Sequence, residues 1–82
     1  MKREKWPDNL INEICHMIEQ TRVAKGYSVY ELSQRSGVSQ QGIAYDEKLV
    51  RRPNLDCLAR IAKALDLNLS QLIAKAEKGI KN

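Results

Sequence analysis

Residues 28–47 read SVYELSQRSGVSQQGIAYDE. Ser28 precedes Glu31 by three residues, which is the spacing of a capping box and predicts that a helix begins here. This helix extends to Ser36, and Gly37 then provides the left-handed or unhindered backbone at which a helix can end. The segment is therefore predicted to be a helix of about two turns.

A second short helix is predicted directly after this turn. Ser39 can cap it through the amide of Gln41 or Gly42, and it extends to about Glu47 or Lys48. Two helices that cross closely need a small side chain in the first, a glycine at the turn and branched aliphatic residues where the second packs. These places are filled by Ser33, Gly37, Val38 and Ile43. The stretch is therefore predicted to be a helix-turn-helix.

An amphipathic helix is predicted before this unit. Residues 10–25 place four apolar side chains on one helical face, namely Ile11, Ile14, Cys15 and Ile18. Trp6 and Pro7 mark its entry, and Asp8 or Asn9 can cap it.

Two further helices are predicted after the unit. Asn54 caps a fourth helix and Asn68 caps a fifth, which ends before Gly79. Their apolar faces carry Leu55, Leu58, Ile61, Ala62 and Leu65, and Leu69, Leu72, Ile73 and Ala76. Because no strand pattern is present, the sequence predicts an all-α fold of five helices.

Length and charge restrict the domain organisation and the partner. With 82 residues the chain is expected to form one domain over residues 1–82, with residues 1–8 and 78–82 frayed. Fourteen Lys and Arg against ten Asp and Glu give a net charge of +4, which favours polyanions.

Several function classes receive no support. One His, no phosphate-binding loop and no metal-ligand cluster argue against an enzyme, a cofactor or a metal site. No apolar run is long enough to span a bilayer and no apolar signal core follows the N-terminus, so we expect a soluble, cytoplasmic protein. Cys15 and Cys57 are expected to be reduced, buried thiols.

A specific order of residues extends from Arg22 to Leu72. Its first part is Arg22, Gly26, Tyr27, Ser28, Leu32 and Ser33, and its second part is Gly37, Val38, Ser39, Ile43, Glu47, Pro53, Leu55, Leu58, Ile61-Ala62-Lys63-Ala64-Leu65 and Leu72. This order resembles the Cro and lambdoid phage-repressor type of helix-turn-helix proteins, the XRE family. The resemblance implies a five-helix, lambda-repressor-like domain whose third helix lies in the DNA major groove.

The resemblance places the expected base contacts at the start of the third helix. Gln40 and Gln41 lie in its first turn, and a glutamine amide can pair bidentately with adenine. Tyr45 lies on much the same face and is expected to contact a thymine methyl or a phosphate. The alternatives are an ordinary exposed polar pair for the glutamines and, for Tyr45, packing over the connector.

Positive charge is concentrated around this unit. Residues 22–52 hold six basic and three acidic residues, a net charge of +3. The expected phosphate contacts are Ser28, Ser39, Arg35, Lys48, Arg51 and Arg52. A basic loop that is merely solvated is the alternative. Val29 stands where the family often has a glutamine, so one family phosphate contact is missing.

The resemblance also implies a structural ion pair. Arg22 and Glu47 match family positions that tie the first helix to the end of the third, and two unrelated surface charges are the alternative.

Two residues of the third helix and its exit depart from the family pattern, and a third is unusual inside a helix. Asp46 stands where the family usually has an apolar residue and Leu49 where a glycine commonly ends the helix, so we expect a changed helix exit and loop. Gly42 costs about 0.5–1 kcal/mol relative to Ala inside a helix, which suggests that another group approaches closely, with drift as the alternative.

Together these expectations predict a sequence-specific transcriptional regulator, a repressor, that binds double-stranded DNA as a homodimer at half-sites roughly 34 Å apart. Leu69, Ile73 and Ile80, or the first helix, are candidate dimer contacts, with burial inside their own bundle as the alternative. A second hypothesis is an antitoxin-like or other protein-interaction module with the same fold. The first hypothesis implies a cytoplasmic, nucleoid-associated protein of a prokaryote or phage.

Overall fold

Five α-helices make up the structure, a computed structural model that describes residues 4–80. They are α1 (Trp6–Ala24), α2 (Val29–Ser36), α3 (Gln40–Glu47), α4 (Leu55–Ala64) and α5 (Leu69–Gly79). No strand occurs within residues 4–80, and the predicted all-α fold of five helices is confirmed. Within the same range, no helix combines the length and the apolar character that a membrane crossing requires.

The caps of α2 to α5 are made by the four residues that the sequence predicts. Each side-chain oxygen accepts a backbone N–H that has no partner inside the helix. The bonds are Glu31 N to Ser28 Oγ at 3.0 Å, Gly42 N to Ser39 Oγ at 3.0 Å, Cys57 N to Asn54 Oδ1 at 2.8 Å and Ser70 N to Asn68 Oδ1 at 3.0 Å. The capping box at Ser28 is only half formed, because the Glu31 carboxylate accepts from Arg35 Nε at 3.0 Å.

The start of α1 differs from the prediction. The helix begins at Trp6 rather than near residue 10, and its N-cap is Lys5, which makes no side-chain capping bond. Pro7 suits the first turn because it has no N–H to leave unpaired, and the Asp8 carboxylate favours the positive end of the helix. Asp8 and Asn9 therefore lie inside the helix and are not its caps.

The helices also extend into both segments that the sequence predicts to fray. Residues 6–8 belong to α1 and residues 78–79 to α5. The physical reason is that these two helices pack against each other, with Gly79 next to Glu13. Of the other residues of the predicted frayed ends, Glu4 and Lys5 precede α1 and Ile80 follows the end of α5, while residues 1–3 and 81–82 lie outside the described part of the chain.

The core lies between all five helices and fixes the orientation of α3. Leu32, Ile43, Ile61 and Leu65 are its largest fully buried side chains, and α1 and α5 add Ile14, Cys15, Ile18, Leu72 and Ala76. α2 packs on both α3 and α4, and α1 packs on both α3 and α5. Since Ile43 is 1% exposed, α3 has one face held in the core and the opposite face directed outward.

The apolar residues of α5 that were candidates for a dimer contact are partly used by their own domain. Leu69 and Ile73 are half-buried and pack against the core, and Ile80 is half-buried as well. This arrangement favours the alternative in which they stabilise the bundle.

The end of α3 is a left-handed turn at Leu49, whose φ is 60°. Leu49 N–H donates to the Asp46 carbonyl at 3.2 Å and Val50 N–H to the Tyr45 carbonyl at 2.9 Å, the two bonds of a Schellman motif. The expected change of helix exit is therefore not found, because these bonds keep the backbone geometry typical of a glycine end. A Cβ in this conformation costs about 1–2 kcal/mol.

Replacing Leu49 with glycine should stabilise the protein. Leu49→Gly removes the left-handed strain but adds backbone entropy to the unfolded chain, so we expect a net gain of about 0.5–1 kcal/mol in urea denaturation. Val50→Gly is the matched control, since Val50 is exposed but not left-handed, and should lower stability. A Leu49→Gly variant no more stable than the wild type would contradict the assignment of strain.

Candidate nucleic-acid interface

The outward face of α3 carries the residues predicted to read bases. Gln40, Gln41 and Tyr45 are exposed, and Ala44 beside them is half-buried. Ile43 holds the opposite side of the helix in the core. The N-terminal half of α3 therefore presents two amides and a phenol to the outside.

Gln41 and Tyr45 form a hydrogen-bonded pair on this face. Nε2 of Gln41 donates to Oη of Tyr45 at 2.6 Å across one helical turn. The bond keeps the phenol hydroxyl on the glutamine face. Gln41 retains Oε1 and its second amide proton, and Tyr45 retains its hydroxyl proton, so the pair can still both donate and accept hydrogen bonds.

An open groove of about 520 Å³ runs beside this face. It is lined by Glu19, Arg22, Val29, Gln40, Gln41, Ala44, Glu47 and Lys48, from α1, α2 and the α3 region. Val29 forms part of the wall at the start of α2, where the family often has a glutamine. That wall therefore offers an apolar contact in place of an amide.

The two predicted serine contacts lie at the N-terminal ends of α2 and α3. Ser28 and Ser39 are exposed, and each hydroxyl accepts a capping bond while keeping its own proton for donation to an anion. The positive end of each helix dipole lies at the same place. Gly37, with φ of 79°, makes the turn between the two helices.

The four predicted basic contacts differ in their ionic partners. Among the described residues, Arg35 pairs with Glu31, Arg51 with Asp46 and Arg52 with Asp8, whereas Lys48 has no ion pair. Arg35 also lies over the Tyr27 ring, 4.4 Å from its centre. Lys48 is therefore the basic residue of this set whose charge is not offset by a carboxylate.

Arg22 and Glu47 are brought together across α1 and α3. Arg22 Nε and Nη2 donate to the two Glu47 carboxylate oxygens at 2.7 and 3.0 Å, and Arg22 Nη1 donates to the Tyr27 carbonyl at 2.7 Å. The side chains are only 13% and 8% exposed. The hydrogen bond to Glu47 raises the pKa of Arg22 above its ordinary value, so the guanidinium stays charged.

Breaking this pair should be costly. Glu47→Ala leaves the Arg22 guanidinium without its carboxylate in a mostly buried place, so we expect a loss of about 2–4 kcal/mol in urea denaturation. Glu31→Ala removes the partner of exposed Arg35 and is the control, with an expected change of at most about 0.5 kcal/mol. Equal small losses for both variants would show that the Arg22–Glu47 pair contributes little.

Asp46 is a buried carboxyl on the inner side of α3, only 5% exposed. Its Oδ1 accepts from Arg51 Nε at 3.2 Å, and its Oδ2 is buried with no hydrogen-bond partner among residues 4–80. Burial raises the pKa of Asp46, and the bond to Arg51 opposes this shift. Burial, followed by the charges of Asp46 and Glu47, also raises the pKa of Cys15 to about 11, so this thiol stays protonated and is buried as expected. Cys57 was expected to be buried as well, but it is only half-buried.

The raised pKa of Asp46 predicts a pH-dependent stability difference. The protonated carboxyl is the form favoured by folding, so its contribution is fully present below the ordinary pKa of 3.8 and is lost as pH rises through the raised value. Asp46→Asn, which cannot ionise, should therefore be more stable than the wild type by about 1 kcal/mol at neutral pH, with the difference shrinking towards about pH 4.

Urea denaturation over a pH series measures this difference. Asp56→Asn is the control for replacing an exposed carboxyl, because the Asp56 side chain is 70% exposed. A difference between Asp46→Asn and the wild type that stays constant with pH would mean that the Asp46 pKa is not raised by folding.

Gly42 provides the space in which the Arg51 guanidinium lies. A Cβ at Gly42 would stand 2.7 Å from Arg51 Nη2 and 3.0 Å from Ser39 Oγ. The close approach that a glycine inside α3 suggests is thus made by a residue of the same chain. Sequence reasoning did not connect Gly42 and Asp46 with Arg51, although their spacing of four residues on the face of Ile43 was a usable signal.

The described residues offer no arrangement for a metal. Within residues 4–80, no three His, Cys, Asp or Glu side chains lie together in a way that could hold a metal ion. The residues predicted to contact DNA on this surface carry amides, hydroxyls and cations, which suit hydrogen bonding and anion contact.

Two short helices joined at a left-handed glycine, with the second helix facing outward, define a helix-turn-helix domain. A helix-turn-helix family model matches residues 18–72, which is more than half of the chain. The chain belongs to this family, of the XRE or Cro type, and is a DNA-binding transcriptional regulator, which confirms the resemblance. Comparisons with curated proteins and with solved structures return no match.

Proposed function

We propose that this regulator is a sequence-specific repressor that inserts α3 into the major groove of double-stranded DNA. The observation that carries the proposal is the outward, polar N-terminal half of α3, held in place from behind by Ile43. A major groove about 12 Å wide accepts one helix. Repression then requires only that the bound domain exclude other proteins from the same DNA. We propose that this happens in the cytoplasm, at the nucleoid, for a protein of prokaryotic or phage origin.

Base reading is assigned to Gln40, Gln41 and Tyr45. Each glutamine can accept and donate at once, which matches the adenine N6 and N7 groups and is worth roughly 1–3 kcal/mol of discrimination per good pair. The Gln41–Tyr45 bond at 2.6 Å supports a joint role for these two, because it fixes the amide beside the phenol before DNA arrives.

Phosphate contacts are assigned to the residues around this helix. Ser28 and Ser39 contribute hydroxyl protons at helix N-termini, and Lys48 contributes a charge with no carboxylate partner among the described residues. Arg35, Arg51 and Arg52 complete the proposed set. Arg35 and Arg52 are already paired with Glu31 and Asp8, so for these two a phosphate would have to compete with a carboxylate.

A homodimer is part of the proposal because one helix-turn-helix domain covers only a short DNA site. Two copies related by a twofold axis would contact half-sites about one helical turn, roughly 34 Å, apart. On α5 the candidate apolar residues are partly buried, whereas Leu49, Val50 and Leu55 in and after the loop that follows α3 are exposed. A second copy would therefore have more apolar surface to cover near residues 49–55.

Selection of bound duplexes from a random library, at two salt concentrations, tests the proposal. The wild type should enrich one sequence, arranged as two inverted half-sites if the protein binds as a dimer. The double variant Gln40→Ala, Gln41→Ala should lose at least about tenfold on that sequence while keeping its salt-sensitive binding to other duplexes.

Lys48→Ala, at the opposite end of α3, is the matched control. It should weaken binding to all sequences alike and reduce the slope of log K against log salt by about one. Equal losses on every duplex for the glutamine variant would argue against base reading by α3. If the wild type enriches no sequence, a protein-interaction role of the same fold becomes the better explanation.

A further inference from the structure

The Arg51 side chain is held in one place by two residues of α3. Its Nε donates to the buried Asp46 Oδ1 at 3.2 Å, and its Nη2 lies where a side chain on Gly42 would otherwise be. Arg51 is nevertheless 49% exposed. The guanidinium is thus anchored through Nε, and none of the hydrogen bonds among residues 4–80 uses its terminal amino groups.

The Asp46–Arg51 interaction is not expected to stabilise the folded protein. Asp46 is 5% exposed and its Oδ2 is buried without a hydrogen bond, so the carboxylate is only half satisfied. An apolar residue of similar volume in such a place is commonly neutral or stabilising. Gly42 lowers the helix propensity of α3 as well. Asp46 and Gly42, on one face of an eight-residue helix, are both unfavourable for stability. What the two residues have in common in the structure is that both contact Arg51 and hold it in place.

The place at which Arg51 is held lies at the first turn of α3, the turn that also carries Gln40 and Gln41. Gly42 directly follows Gln41, and a Cβ on Gly42 would also touch Ser39 Oγ, the cap at the positive end of α3. A cation fixed there lies at the same helix end as the two proposed base-reading glutamines. Holding an arginine in its bound geometry removes the entropy that a free side chain loses on binding.

We infer that Asp46 is the positioning residue of a phosphate clamp, in which it holds the Arg51 guanidinium against Gly42 so that the terminal amino groups bind a backbone phosphate flanking the bases read by α3. This inference rests on the proposed function, since it names the residue that orients one of its phosphate contacts. Asp46 itself touches no DNA.

For Asp46→Leu, the positioning role predicts a change in DNA affinity opposite to the one that charge alone would produce. Removing a negative charge close to DNA should strengthen binding, because DNA is a polyanion. If Asp46 orients Arg51, Asp46→Leu should instead weaken binding, since Arg51 becomes free to leave its position. The same substitution should raise thermal stability, because a half-satisfied buried carboxylate is replaced by an apolar side chain.

The test measures binding of the full chain to one mixed-sequence duplex by fluorescence anisotropy over a salt series. Arg51→Ala should weaken binding by about tenfold and lower the salt slope by about one. Asp46→Leu should weaken it by about three- to tenfold, and Asp46→Leu with Arg51→Ala should bind no worse than Arg51→Ala alone. Asp56→Leu is the matched control, because Asp56 also pairs with an arginine, Arg60, and should bind as the wild type or more tightly.

Gly42→Ala should also displace Arg51 and weaken DNA binding, and it does so without altering any charge. The new methyl would displace the flexible end of Arg51, so binding should weaken by about three- to tenfold while the helix gains propensity. Circular dichroism melts verify that each variant is folded, and Gly42→Ala decides the question if Asp46→Leu does not fold.

The results separate the inference from the proposed function. If the wild type binds the duplex and Asp46→Leu or Gly42→Ala binds equally well or more tightly, the positioning role of Asp46 is overturned and the proposed function stands. Unchanged affinity and salt slope for Arg51→Ala would overturn the clamp in the same way. If the wild type binds no duplex at any salt concentration, the proposed function fails and the clamp with it.

Discussion

The Arg22–Glu47 ion pair is the interaction on which the placement of α3 depends. It joins the last turn of α1 to the last turn of α3 through two hydrogen bonds, in a place where both side chains are mostly buried. An isolated helix of eight residues is unstable in water, so α3 exists because of its contacts with the rest of the domain. Ile43 fixes its inner face and Arg22 fixes its end, and the outward direction of Gln40 and Gln41 follows from both.

The α3 helix and its exit contain three residues that local rules disfavour. Gly42 weakens the helix, Asp46 buries a carboxyl, and Leu49 adopts a left-handed backbone. Departures from local preference in natural proteins concentrate where function requires them. Here all three residues affect the position of Arg51. The turn at Leu49 directs the chain back towards α3, where Arg51 bonds to Asp46 and lies against Gly42. The Arg51 side chain is thereby held against α3 by residues that do not favour the stability of the helix.

Much of the fold could be predicted because it depends on interactions between residues close in the chain. The caps at Ser28, Ser39, Asn54 and Asn68 need only a short polar side chain and the amides that follow it. The apolar face of α4 is clear because its apolar residues repeat at helical spacing. Four of the five predicted residues, Leu58, Ile61, Ala62 and Leu65, are buried, whereas Leu55 is 66% exposed. The start of α1 was predicted too late because Asp8 and Asn9 resemble caps, whereas Pro7 and the contacts of α1 with the rest of the domain extend the helix to Trp6. The Arg22–Glu47 pair was expected from the family resemblance, since a separation of 25 residues gives no local signal.

The sequence by itself determined the five helices and the helix-turn-helix, because hydrophobic periodicity and capping act within one or two helical turns. The outward direction of Gln40, Gln41 and Tyr45 depends on the burial of Ile43 in the core, which is a tertiary contact. Only the tertiary structure decided which carboxylate each arginine meets: Arg51 bends back to Asp46, and Arg52 reaches Asp8 of α1. The physical reason is that an arginine side chain is long and has many rotamers. The position of its guanidinium is therefore set by the surrounding surface and not by neighbours in the chain.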